Sequence, residues 1–261
     1  MGATLRKVAR LLLGSHLYRI ASAIRAARLD ARNDSAGDAR RAALYKTWIK
    51  PGDLVFDIGA NLGNRTRVFA SLGVRVVAVE PQPHCYWALR WLMKSNPRVT
   101  VIRATVSFDN MPKAFTQRET HVLSSMRDRR FEVIESDVDV DRSAAAEYTV
   151  PCVTLDKLIA RYGIPVFTKI DVEGYEPEVL RGLSQPAGTL SFEVVPRLRE
   201  HIEECLLRLE AIGYRQFQFS LNESMRLPNG WLDGRAIRER LSQLAPSQTD
   251  FGDVYARNPA L

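Results

Sequence analysis

Apolar and polar positions change rhythm several times along the chain. Near the start, Leu5, Val8, Leu12, Leu17, Ile20 and Ile24 recur at helical spacing among Arg6, Lys7, Arg10, Arg19, Arg25 and Arg28, the stripe of a basic amphipathic helix. Residues 31–40, rich in small and polar types, read as a linker before a short helix over 41–49. After Pro51-Gly52-Asp53 the pattern alternates: strand 54–59, helix 64–72, strand 74–80, helix 83–95, strand 99–106. Residues 107–147 break it with a polar, charge-dense stretch too long for a turn. The alternation then resumes with strand 148–153, helix 155–162, strand 166–172, helix 177–183, strand 189–194 and helix 197–212, and two strands, 214–221 and 251–257, close the chain. Such succession predicts an α/β fold: a mainly parallel sheet with helices on both faces and ligands beyond the carboxyl ends of its strands. The expected division is a basic helical arm over 1–50 and one domain over 51–261, with an insert at about 108–147.

Composition narrows the class. With 261 residues, 46% hydrophobic and 26% charged, the chain can bury one substantial core and is neither fibrous nor disordered in make-up. No apolar run approaches the roughly 18 residues of a membrane span, and residues 11–13 are too short an apolar run for a secretory leader; a cytoplasmic protein is expected. Cys85, Cys152 and Cys205 lie far apart without CxxC spacing, so they read as buried small hydrophobes in a reducing compartment. Residues 1–50 carry eleven Lys and Arg against three Asp, whereas the remainder has 26 basic against 27 acidic residues. The basic excess therefore belongs to the arm. Two expectations stand for it: packing on the domain or on a second copy in a homo-oligomer, or peripheral contact with an anionic membrane. Nucleic acid is not expected as a partner.

Candidate chemistry begins at VFDIGANLG, residues 55–63. Gly59 and Gly63 permit a tight turn around Ala60 and Asn61, but their spacing is GxxxG and not the GxGxxG that cradles a pyrophosphate. Asp57, ending the first strand, would repel phosphate and favour a ligand carrying an ammonium and a sulfonium. The second strand ends in Glu80, followed by Pro81, where an acid can accept from ribose hydroxyls. Together these residues favour S-adenosylmethionine as cofactor. Three alternatives remain: a nicotinamide-dependent oxidoreductase, acids that merely cap the following helices, and a non-catalytic membrane- or nucleic-acid-binding module.

VFDIGANLG, VVAVEPQP, VTLDKL and TKIDVEGYEPEVLRG resemble the successive motifs of FkbM-type methyltransferases, over residues 54–196 and more weakly at the closing DVYAR. The DVEGYEPEVLRG run is the most specific part. The resemblance implies a Rossmann-like class I methyltransferase fold with a mainly parallel seven-stranded sheet. It also implies S-adenosylmethionine-dependent O-methylation of a small-molecule or glycan hydroxyl, with the adenine near residues 104–106. Thr105 joins the cofactor candidates on that ground.

Methyl transfer to a hydroxyl requires alignment of donor and acceptor and removal of one proton. Strand alternation puts Lys169, Asp171 and Glu173 on one face. Asp171 is expected to hold the donor or act as base, and Glu173 to orient the acceptor; the alternative is that both are first-turn acids of the next helix. Glu193 would face the same crevice. With Asp171 it could hold a divalent cation, but two carboxylates are few for a magnesium cage, and no metal site is assigned. His121, in the insert, is a further candidate base. His84 and His201 fall at helix starts and read as structural, and Trp87 and Trp91, four apart on one helix, read as core.

Overall fold

The computed structural model describes residues 3–117, 125–126, 146–227, 230–244 and 251–260. His121 lies outside them. Five parallel strands, β1 (Leu54–Ile58), β2 (Arg75–Val79), β3 (Val99–Ile102), β9 (Phe167–Ile170) and β10 (Thr189–Val194), join β11 (Gln216–Leu221) and β12 (Gly252–Arg257) in one sheet. The order is β11-β12-β10-β9-β1-β2-β3, with β12 antiparallel to both its neighbours. This is the Rossmann-like class I methyltransferase fold that the motifs implied.

Why the strands are so apolar follows from their double burial: all five residues of β1, LVFDI, are buried, as befits a strand covered on both faces. One face carries Phe56, Ile58, Ile170 and Phe192 against α5 (Leu155–Tyr162), α6 (Glu176–Arg181), α7 (Arg199–Ala211) and α8 (Gly234–Ser242). The other carries Val55, Val76, Phe167 and Tyr255 against α2 (Ser35–Tyr45), α3 (Asn64–Ser71) and α4 (Pro83–Leu92). The long α1 (Ala3–Asn33) lies on α4, with Ala23 and Ala27 buried between them.

Four expectations change. Residues 31–40 are not a linker, because α1 and α2 meet with only Asp34 between them. Their alanines favour helix, and Arg41 ties the junction by pairing with Asp34 at 2.6 Å and Asp38 at 2.9 Å. The strand expected over 99–106 breaks after Ile102, and β4 (Thr105–Val106) pairs instead with β8 (Cys152–Val153) in a separate ladder. The insert carries backbone order of its own: β5 (Lys113–Gln117) pairs antiparallel with β6 (Ser125–Met126) and β7 (Ala146–Val150). Finally, α8 was not foreseen between the closing strands, although Asp233 caps it by accepting from the Ala236 N–H at 2.8 Å. Among the described residues, no helix is long and apolar enough to cross a membrane.

Candidate active site

Register and the two-residue period of strands place Asp57, Lys169 and Ser191 in one row across the sheet. Asp171, Glu193 and Asp253 fall in the next row, toward the carboxyl ends of the parallel strands. Lys169 is 1% exposed, and its ammonium contacts Asp253 Oδ1 at 2.9 Å and Asp171 Oδ2 at 3.2 Å. It also donates to the carbonyl of Ile170 at 3.3 Å. Burial alone would lower this ammonium, but Asp171 and Asp253 outweigh it and hold Lys169 charged, above the ordinary lysine value.

The turn after β1 is built on left-handed backbone at Gly59, Asn61 and Gly63. The chain itself demands both glycines: a Cβ on Gly59 would lie 1.8 Å from the Asp171 carbonyl oxygen, and one on Gly63 would lie 2.4 Å from Leu89 Cδ1. The N–H groups of Gly59 and Ala60 both donate to the Val79 carbonyl, at 2.9 and 3.1 Å. Glu80 closes the arrangement, because its carboxylate accepts from the Asn61 N–H at 2.8 Å and the Gln82 N–H at 2.7 Å. Pro81 is the half-buried link between these last two elements.

None of the expected acids is an N-cap. The first residue before α3 is Gly63, which has no side-chain cap, and Asp57 accepts from the Thr66 hydroxyl instead. Glu173 does not continue β9 either: the strand ends at Ile170, and Glu173 sits in a left-handed turn at φ 55°. Glu176, which sequence reasoning did not single out, holds that turn by accepting from the N–H groups of Val172 and Gly174, both at 3.1 Å.

Burial pushes these acids upward, and the remaining charges decide how far. Asp57 rises to about 6, against the opposing hydrogen bond from Thr66 and the nearby Arg65 and Lys169. Glu80 rises to about 7 despite its two backbone donors, and Glu176 likewise to about 7. Glu173 reaches about 8, through burial first and then Asp171 and Glu176. Glu193 is driven well above the usual carboxylate range by burial, Asp171 and Glu173.

Residues 57–217, well over half of the chain, match the methyltransferase FkbM domain family. The chain belongs to that family. Over 147 residues it is 26% identical to the hexuronic acid methyltransferase AglP of Haloferax volcanii, a match covering 55% of this chain and 55% of that protein. The chain thus matches about half the length of this curated relative. It is also similar to the solved precorrin-6y C5,15-methyltransferase of Geobacter metallireducens, at 12% identity and a TM-score of 0.45 over 85% of this chain and 87% of that one. A TehB-like SAM-dependent methyltransferase of Corynebacterium glutamicum gives 12% identity and a TM-score of 0.42 over 89% and 96%.

The cofactor implied by membership in the FkbM family is S-adenosylmethionine, and the donor set fits it. Burial holds Asp57, Glu80, Glu173, Glu176 and Glu193 above the usual carboxylate range, and a bound sulfonium and ammonium would favour their ionised forms, whereas a pyrophosphate would oppose them. Thr105 is buried in the β4–β8 ladder, its N–H bonded to the Pro151 carbonyl at 2.9 Å. His84 is buried in α4 with its ring 3.4 Å from the Cys85 sulfur, and all three cysteines are buried and unpaired with one another. Among the described residues, no group of three or more His, Cys, Asp and Glu is arranged to hold a metal ion. Trp87 and Trp91 are not core: they are 43% and 41% exposed on the outer side of α4. Lys169 was placed correctly on its face by alternation, but its partner Asp253, which lies 84 positions away, carried no signal beyond the DVYAR match.

Proposed function

We propose that this protein is an S-adenosylmethionine-dependent O-methyltransferase acting on a hydroxyl of a sugar or similar small polyol. Asp57 and Glu80 face the donor, Glu80 through carboxylate oxygens already aligned by Asn61 and Gln82. Bound S-adenosylmethionine supplies an electrophilic methyl group. The chain's residues then have to orient the acceptor hydroxyl and take its proton as the new C–O bond forms.

We assign the proton to Glu173 and not to Asp171. Asp171 is engaged by the Lys169 ammonium at 3.2 Å, which fixes it as an orienting anion. Glu173, raised to about 8 by burial and its acidic neighbours, is a base matched to near-neutral pH. Glu193, pushed well above the usual carboxylate range by burial and by Asp171 and Glu173, can in its protonated form donate a hydrogen bond to the acceptor. The relative's name points to sugar acids as the acceptor class, and a hydroxyl is favoured over the sugar carboxylate because a base at Glu173 has a proton to take from a hydroxyl and none to take from a carboxylate.

The single observation that carries this reading is the cluster of buried and half-buried acids around one clamped lysine at the strand ends. The test is incubation with methyl-labelled S-adenosylmethionine and a panel of hexoses, hexuronic acids and glycosides, with the product challenged by mild alkali, which cleaves an ester and spares an ether. The expected product is alkali-stable. Glu173→Gln should lower kcat by about 10² to 10⁴, and wild-type turnover should climb as pH rises toward 8. An alkali-labile product would overturn the hydroxyl acceptor, and undiminished turnover of Glu173→Gln would overturn the base.

A further inference from the structure

The outward face of α1 and α4 combines three features that no part of the methyl-transfer reading uses. The first is a division of charge within α1 and α2. Their three acids turn toward the domain: Arg67 of α3 contacts Asp38 at 2.8 Å and Asp30 at 3.3 Å, and Arg41 pairs with Asp34. Opposite the buried Ala23 and Ala27, positions 17, 21, 25, 28 and 32 of α1 form an exposed stripe of Leu17, Ala21, Arg25, Arg28 and Arg32. Arg25, Arg28 and Arg32 therefore stand outward while Asp30, Asp34 and Asp38 are engaged by arginines.

The second feature is aromatic. Trp87 and Trp91 stand exposed on α4, which packs on α1, and cations lie over their rings: Arg28 and Lys94 over Trp91 at 4.7 and 5.0 Å, and Arg90 over Trp87 at 5.5 Å. The third is aliphatic. Leu17 and Leu29 are exposed beside these arginines.

We infer that this surface docks on an anionic lipid bilayer, with Trp87 and Trp91 at headgroup level and the α1 arginines against the lipid phosphates. Indoles with cations on their faces are poor platforms for stacking a nucleobase, but their amphipathic rings suit the membrane interface. Exposed leucines have nothing to contact on a nucleic acid and gain by burial at the acyl boundary. Basic groups near an anionic leaflet add about a factor of five in partitioning each, since they contribute about 1 kcal/mol apiece. This inference does not depend on the methyltransferase reading, because none of its residues belongs to the acid cluster.

The test uses the full chain and vesicles of phosphatidylcholine with or without phosphatidylglycerol. Co-sedimentation is expected only with the anionic vesicles and should fall steeply with salt. Arg28→Gln/Arg32→Gln/Lys94→Gln should weaken partitioning by about 100-fold, with donor binding and thermal melting as in the wild type. Brominated phosphatidylglycerol vesicles should quench tryptophan emission in the wild type and much less in Trp87→Phe/Trp91→Phe, which preserves folding even if the charge variant does not. Equal binding to neutral vesicles, no binding to either, or quenching that survives the Trp87→Phe/Trp91→Phe change would each overturn the inference. Tight binding of single-stranded RNA with no vesicle binding would replace it with a nucleic-acid surface.

Discussion

Replacing Lys169 by methionine removes the one ammonium shared by two carboxylates of the site while keeping most of the side-chain volume. Asp253, only 9% exposed, loses a partner at 2.9 Å, and Asp171, 32% exposed, loses one at 3.2 Å. Stranding one member of a buried pair costs about 3–5 kcal/mol. Asp171 is open enough to rehydrate, so most of the cost falls on Asp253 and the low end, about 3 kcal/mol, is expected. For a chain of this size that corresponds to a fall in Tm of roughly 6–12 °C, read by calorimetry or dye-monitored melting at pH 7.5. Two controls isolate the electrostatic cause. Lowering the pH toward 5 should recover part of the loss as protons neutralise the stranded carboxylates, and Lys169→Met/Asp253→Leu should melt higher than the single variant because it removes the unpaired charge. A single variant that melts within 2 °C of wild type, or a double variant no better than the single, would refute the reasoning.

Other outcomes follow from the same geometry. Gly59→Ala should fail to accumulate as folded protein or lose at least about 3 kcal/mol, since the new Cβ meets the Asp171 carbonyl at 1.8 Å and φ is +81°; a normal Tm would contradict it. Without ligand, the protein should be more stable at pH 5.5 than at pH 7.5: Asp57 at about 6 and Glu80 and Glu176 at about 7 all lie above their unfolded values of 3.8 and 4.5, so the folded state binds the extra protons and their contribution is lost as pH rises through 6 to 7. Adding S-adenosylmethionine should narrow that difference, and a Tm that rises from pH 5.5 to 7.5 without ligand would reject the assignment of buried, reluctant acids. Tyr45→Phe should be neutral or stabilising by up to about 1 kcal/mol, because the buried Tyr45 hydroxyl has no hydrogen-bond partner among the described residues and burial already holds it near 12; a clear loss in the melt would mean that the hydroxyl has a role.

What the sequence made legible was local. Strands buried on both faces announce themselves as continuous apolar runs; counting in twos placed Lys169 and Asp171 on one face, while Asp57 and Glu193 were read from their places at strand ends. Counting in twos fails where the backbone leaves the extended region. Glu173 lies beyond such a point, at φ 55°, and its surroundings are set by Glu176 reaching back to two N–H groups. The same limit explains Trp87 and Trp91: a four-residue spacing fixes that two side chains share a helix face, and says nothing about whether that face looks inward. Pairings across the whole sheet, such as Lys169 with Asp253, depend on the antiparallel insertion of β12, and no short-range pattern encodes it.

The first fifty residues illustrate how one charge excess can hide two different structures. Residues 3–33 form a helix on which Arg25, Arg28 and Arg32 are exposed, whereas α2 and the turn after it are part of the core. Tyr45 packs 4.6 Å from the ring of Phe69 and 5.3 Å from that of Phe167, and Trp48 stacks on Phe167 at 5.4 Å. Phe167 stands two residues before Lys169 on the same face, so these rings roof the row that carries Asp57 and Lys169. Water is thereby kept from that row, and its exclusion is what raises the carboxyl of Asp57. The electrostatics of the site thus depend on residues that precede the matched family region at 57–217. Removing residues 1–50 would take the rings of Tyr45 and Trp48 away from Phe167 and let water reach Asp57 and Lys169. The shift of Asp57 would relax and the lysine's ion pairs would be screened, even though every acid named in the site would still be present.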